Sequence, residues 1–427
     1  MSEAGFIGGR DHFTDFDLDS PEFRDHYEEV LDALLDGCPV ARSKAFGGYW
    51  MVSRAEDVRR CAQDYDTFTS TLGFEPNQSN EEGGLKLYPL ELDPPYHTRW
   101  RNALGEYFSP RAIRSRTGSI RQQANYLVDT FIEDGNCDFV DRFAAQLPGR
   151  VFFGSFLGVP FDQLGAIQKA TDIAMRGVAA ERAAAWGVVA EFLTDYLKTR
   201  AAEEPRGDFV DAVLAGVPGE DGEPCDWNDK LFIMIDMVAG GMGTTSHVLA
   251  SMIYHLATHP GDRDRVLAEP GIRANLVEEV IRVHAPIVAT GRTATRDTEI
   301  AGQAIKKGEF VMLSQAAASR DPRLFKEPKF VNLDRPAPQN LAFSYGPHRC
   351  IGAHIGRQQV QVALDVLLER LPDFRLPDGY RPKYGNSSVA RNMDELMIEF
   401  TPSMPDASGT PGVPGTSGMP GTSGGDR

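Results

Sequence analysis

The chain has 427 residues, with 44 Lys or Arg against 61 Asp or Glu, a formal charge of −17. Such a field repels polyanions, which excludes nucleic acid as the main partner and leaves only local basic patches for acidic ones. No stretch approaches the roughly 18–20 uninterrupted apolar residues of a membrane helix, and Met1–Ser20 lacks a basic and then apolar leader, so no membrane partner and a cytoplasmic location are expected.

Gly47-Gly48 precede a short strand, Tyr49–Val52, after which Ser53 and Glu56 stand at capping-box spacing before a helix beginning at Asp57-Val58. The stretch Ser70–Glu91, carrying Gly73, Pro76, Gly83, Gly84 and Pro89, reads as a loop of functional length. Apolar residues recurring at three and four predict helices over 118–134, 163–177, 181–202 and 228–258. Glu299-Ile300 and Phe310–Leu313, either side of Lys306-Lys307-Gly308, read as a hairpin. The run from Ile355 to Leu371 marks a last helix, stopped by Pro372.

From Pro402 onward the sequence turns to low complexity, with Gly at every third position from Gly409 to Gly424, and a disordered tail over 403–427 is expected. No internal linker is long or polar enough to mark a boundary. The expectation is one domain over 1–402, mainly α with small β-sheets.

Of the five cysteines none forms a C-x-x-C pair, which suits a reducing compartment, and one of them stands in an unusual setting. Phe343-Ser344-Tyr345-Gly346-Pro347-His348-Arg349-Cys350-Ile351-Gly352 is a glycine-punctuated loop that delivers Cys350 to the start of a helix. There the macrodipole and free backbone N–H groups are expected to lower the thiol pKa and hold a thiolate. Gly346 and Gly352 let the backbone turn and approach a flat cofactor.

This segment resembles the haem-binding loop of the cytochrome P450 family, F-x-x-G-x-[RH]-x-C-x-G, at every specified position. The resemblance implies the P450 fold, with haem b between a distal oxygen-binding helix and the helix after Cys350. It makes Cys350 the axial metal ligand and places Phe343, His348 and Gly352 against the haem. Glu279-Val280-Ile281-Arg282 is similar to the family's E-x-x-R, with Arg335 as the third member of a structural, not catalytic, cluster. Asp93-Pro94-Pro95-Tyr96-His97-Thr98-Arg99-Trp100-Arg101 and Gly291-Arg292 look like the segments that supply His97, Arg101 and Arg292 to the haem propionates.

Ala239-Gly240-Gly241-Met242-Gly243-Thr244-Thr245 lies inside the most apolar helix, where each glycine costs about 1 kcal/mol in propensity. A groove for a ligand against the backbone would compensate, and Thr244 can bond back to the Gly240 carbonyl and bend the helix. A phosphate loop is excluded, because the run follows a helix and no Lys follows it. The family's site reads [AG]-G-x-[DE]-T-[TS]; here Thr244 is present and Gly243 replaces the acid. Water entering the gap is the favoured substitute, ahead of a second acid, peroxide use or different haem-thiolate chemistry. His247, three residues on, is expected to be structural.

The resemblance implies a monooxygenase that uses O2 and electrons from an iron-sulfur ferredoxin, itself reduced by a flavin-dependent reductase. Arg99, Arg111, Arg114 and Arg349 are the candidate docking patch. A small apolar substrate, terpenoid or ionone-like, is expected against Leu85, Leu87, Tyr88, Gly240, Gly241, Thr244, Ile287, Val288, Ser388 and Val389. The alternatives are a fatty-acid hydroxylase, for which Lys86 is the one carboxylate anchor, a peroxide-dependent enzyme, and a haem-thiolate protein that binds a ligand without turning over oxygen.

Overall fold

The computed structural model describes residues 3–76, 84–176, 179–219, 221–336, 340–387 and 389–405. Nearly all of the expected tail, together with Asn77–Gly83 of the long loop and Ser388, lies outside the described residues. Long helices dominate, with one five-stranded sheet and four two-stranded sheets among the described residues. No helix there is long and apolar enough to cross a membrane.

The five-stranded sheet runs in the order Val40–Ser43, Tyr49–Val52, Phe310–Leu313, Thr290–Ala294, Phe68–Thr69. Phe310–Leu313 lies parallel to Tyr49–Val52, with Phe310 opposite Tyr49, and antiparallel to Thr290–Ala294. The expected hairpin is therefore corrected. Thr298–Ile300 pairs with Gln303–Ile305 through a turn at Ala301-Gly302, and Lys306–Gly308 only carries the chain across to the larger sheet.

The helix after Tyr49–Val52 spans Ala55–Gln63 and is not closed by the expected capping box. Its first free amide, at Ala55, donates to Asp321 Oδ2 at 3.0 Å, while the Ser53 hydroxyl is buried without a partner. A carboxylate at a helix N-terminus satisfies an orphan donor and complements the macrodipole wherever in the sequence it comes from.

Leu164–Arg176, Ala179–Ala201 and Ala353–Arg370 fall where periodicity puts them. Thr117–Asp129 stops short of 134, because the chain turns through Gly135 at φ 72° into the strand Asn136–Asp138. The expected helix 228–258 is two helices, Trp227–Gly241 and Gly243–Thr258, broken at Met242. At the break Thr244 Oγ1 donates to the Gly240 carbonyl at 2.8 Å, the back-bond that bends helices.

Gly243–Thr258 runs through the largest apolar cluster, burying Leu249, Ala250, Met252, Ile253 and Leu256 against Arg273–Val283 and Ala353–Arg370. A second cluster gathers Trp100, Phe153, Leu193, Phe209 and Ile233. The main cavity opens between them, with Val248 and Val360 from the first and Phe152 and Ile235 from the second in its wall.

Candidate active site

Cys350 is presented by a tightly constrained turn. Gly346 has φ 69°, and a Cβ there would lie 2.5 Å from the Ala62 carbonyl oxygen, so the loop seats against the helix Ala55–Gln63 only with glycine. The Cys350 amide donates to the Phe343 carbonyl at 2.9 Å, and Ala353–Arg370 begins just beyond, with Gly352 at its N-cap. The thiol is nevertheless raised above its ordinary pKa, a correction to the expected lowering. Enclosure outweighs the Gly352 N–H and the Arg101 guanidinium, which pull it down. A metal at the sulfur reverses that balance by holding the thiolate outright.

Around the same cavity stands a group of imidazole and guanidinium donors. His97 is buried with neither ring nitrogen hydrogen-bonded, and its ring lies 4.3 Å from that of His348. His348 Nε2 meets Ser70 Oγ at 3.2 Å. The Arg292 guanidinium is buried and bonds the Gly291 carbonyl at 2.6 Å, and Arg101 bonds the Arg349 carbonyl at 2.7 Å. Burial, then Arg101 and Arg292, push His97 down to about 4, and burial lowers Arg292 to about 10. These desolvated donors and cations, with both His97 ring nitrogens orphaned, fit a dianionic cofactor edge.

The structural cluster is complete. Glu279 and Arg282, both fully buried, pair at 2.7 and 2.9 Å, and Arg335 Nε lies 3.1 Å from Glu279 Oε1. Arg282 also donates to the carbonyls of Ser319, Pro328 and Phe330, and the Asn332 amide donates to Glu279. Burial pushes Glu279 up, but Arg282, Asn332 N–H and Arg335 outweigh it and hold the carboxyl below its usual range. This knot anchors the segment leading to the cysteine loop.

The cavity has a volume of about 570 Å³. Its wall brings together Cys350, Phe343, His348, Gly352, His97, Arg101 and Arg292 with Gly240, Gly241, Gly243, Thr244, Leu85, Leu87, Ile287 and Val389. Two expected wall residues are not in it. Tyr88 packs edge-on against Phe232, ring centroids 5.4 Å apart. Val288 is buried in the core, its amide on the Val389 carbonyl and its own carbonyl taking Ser314 Oγ. His247 is buried beside Ser251 and does not line the cavity.

Sequence reasoning missed Phe152, Trp186, Asp236 and Asn392 in the wall. Asp236 left a readable signal, a lone acid in the apolar run one turn before Gly240. Burial, then Glu91, push it up to about 8 against the opposing Arg101. Of the docking arginines, Arg111 and Arg114 are exposed on Pro110–Arg114, which packs on Ala353–Arg370, and Arg349 is exposed beside Cys350. Arg99 is instead tied to the Pro218 carbonyl at 2.8 Å.

A cysteine at the foot of a helix, a bent helix facing it and a cationic rim define a haem-thiolate protein. The sequence profile described as Cytochrome P450 matches residues 155–270 and 273–396, and the chain belongs to that family, whose cofactor is haem b. It is 30% identical to a probable cytochrome P450 127A1 of Sinorhizobium fredii over 81% of this chain and 83% of that one. It is 34% identical to the mycinamicin IV hydroxylase/epoxidase of Micromonospora griseorubida over 79% and 86%. The crystal structure of CYP108D1 from Novosphingobium aromaticivorans superposes with a TM-score of 0.77 at 27% identity, over 90% and 97% of the two chains. The chain is thus an oxidoreductase of the P450 monooxygenase type.

Proposed function

We propose that this monooxygenase inserts one oxygen atom of O2 into a C–H bond of a small apolar molecule, a terpenoid or ionone-like ring being the first class. The observation that carries the reading is the single cavity shared by Cys350, Thr244 and an apolar wall of Leu87, Phe152, Ile287 and Val389. Bound haem supplies the activation of oxygen. Cys350 would hold the iron, His97, Arg101, Arg292 and His348 would hold the propionates, and Phe343 and Gly352 would line the haem site with them. Thr244 keeps a hydroxyl at the bend of the distal helix, and the apolar wall excludes bulk water and orients the substrate.

Electrons come from an iron-sulfur ferredoxin, reduced in turn by a flavin-dependent reductase, docking at Arg111, Arg114 and Arg349. A reduction rate that falls as salt rises supports that patch. Gly243 favours one second reading, use of peroxide in place of O2 and electrons. An optical titration of the ferric holoprotein with terpenoids, ionones, fatty acids and a macrolide of the mycinamicin type tests the substrate class. A low-spin to high-spin Soret shift with a terpenoid or ionone supports the reading, and a shift only with a fatty acid or macrolide replaces it. Product formed with peroxide alone, and none with reduced ferredoxin and O2, moves the protein to the second reading.

A further inference from the structure

Among the charged groups in the wall of the main cavity, one carboxyl stands apart. Glu91 accepts the Leu87 amide at 2.6 Å and lies 3.8 Å from Lys86 Nζ, and Glu75 is engaged as well. Asp236, in the same wall, has neither a hydrogen bond nor an ion pair among the described residues. Arg101 acts on it only at longer range, is hydrogen-bonded to the Arg349 carbonyl, and is one of the propionate donors in the reading above. An acid in an apolar enclosure without a partner costs stability and does nothing for the fold, which leaves it as a site for something that enters the cavity.

The helix sets where that carboxyl stands. Asp236 interrupts the run Ile233, Met234, Ile235, Met237, Val238 in Trp227–Gly241, and residues four apart share a face, so it lies over Gly240 at about 6 Å along the axis. At Gly240 and at Gly241 a Cβ would meet nothing within 4 Å. From Asp236 to the bend at Thr244 the helix thus offers bare backbone beside open space. The wall also carries Phe108, Phe152, Phe156 and Trp186, and aromatic faces attract an alkylated ammonium.

We propose that the substrate carries a cationic ammonium head on an apolar body, the head paired with the Asp236 carboxylate and the body lying along Gly240-Gly241 toward Thr244. The inference rests on the monooxygenase reading above and narrows its substrate from a neutral ring to a basic one. A neutral ring would leave the carboxyl against hydrocarbon, with nothing to offset its lost hydration. An ammonium replaces that hydration with an ion pair where water and salt screen it little.

A matched pair of probes tests this on the ferric holoprotein: cyclohexyltrimethylammonium and its carbon isostere, tert-butylcyclohexane. The quaternary nitrogen has no lone pair to offer iron, so a Soret shift reports occupancy of the pocket. Wild type should bind the ammonium about tenfold more tightly than the isostere, or better. Asp236→Asn, equal in size and uncharged, should bring the ratio to one or reverse it while haem content and affinity for the isostere hold. Equal affinities in wild type overturn the proposal, as does a preference that persists in Asp236→Asn, which would place the cation elsewhere in the wall. If the ammonium binds with the expected preference but reduced ferredoxin and O2 yield no oxygenated product, the monooxygenase reading fails and the anchor stands. If a neutral terpenoid is oxygenated while the pair binds without preference, the anchor fails and that reading stands.

Discussion

Gly243 sits where Met175 and Asn392 close in, since a Cβ there would stand 3.3 Å from Met175 Cε and 3.4 Å from Asn392 Oδ1. Gly243→Asp puts a carboxyl at the distal bend, its Cβ alone requiring a few tenths of an ångström of movement by the flexible end of Met175. Product per reduced nicotinamide should rise in the variant; a flat ratio at saturating substrate would show that proton supply is not limiting. Glu279 is a residue of the opposite kind, away from the wall of the main cavity and paired with Arg282 and Arg335. Glu279→Ala leaves buried guanidinium charge uncompensated and should cost about 3–5 kcal/mol, read as a lower urea midpoint in the haem-free protein.

Among the elements, the helix Ala55–Gln63 links stability to the site because the cysteine loop rests on it at Gly346. Asp321→Ala uncaps this helix and should cost about 1 kcal/mol, whereas Ser53→Ala, at the position the sequence marks as cap, should cost less. A larger loss in Ser53→Ala would restore the capping box. The difference shows what the sequence could and could not carry. The helices Leu164–Arg176, Ala179–Ala201 and Ala353–Arg370 are written in local periodicity, and the bend at Thr244 in three neighbouring glycines. Asp321 is 266 residues from the helix it caps, and Phe310–Leu313 pairs with Tyr49–Val52 across a similar distance. Neither partner leaves a local trace. The cysteine loop was legible because its chemistry is compressed into ten residues, while Met175 and Asn392 come to Gly243 from separate elements and no spacing announces them.

For the whole molecule, burial of neutral histidines in the main core sets the acid limit. His247 is pushed down to about 3, first by burial and then by Arg391, and His284 is held well below its ordinary value by burial and the neighbouring histidines. In the unfolded chain both titrate near 6.5, so below that pH the unfolded state binds protons that the folded state refuses. Stability is therefore full above about pH 6.5 and is lost as the pH falls toward the folded values, the reverse of a histidine that gains an acidic partner. At pH 5 His247 should have removed about 2 kcal/mol relative to pH 7, and His284 adds a loss of the same sign. Urea unfolding of the haem-free protein at the two pH values measures the loss, and His247→Gln, which keeps a polar group beside Ser251 but does not titrate, should show a shallower dependence. An equal slope in wild type and His247→Gln would assign the acid sensitivity to other groups.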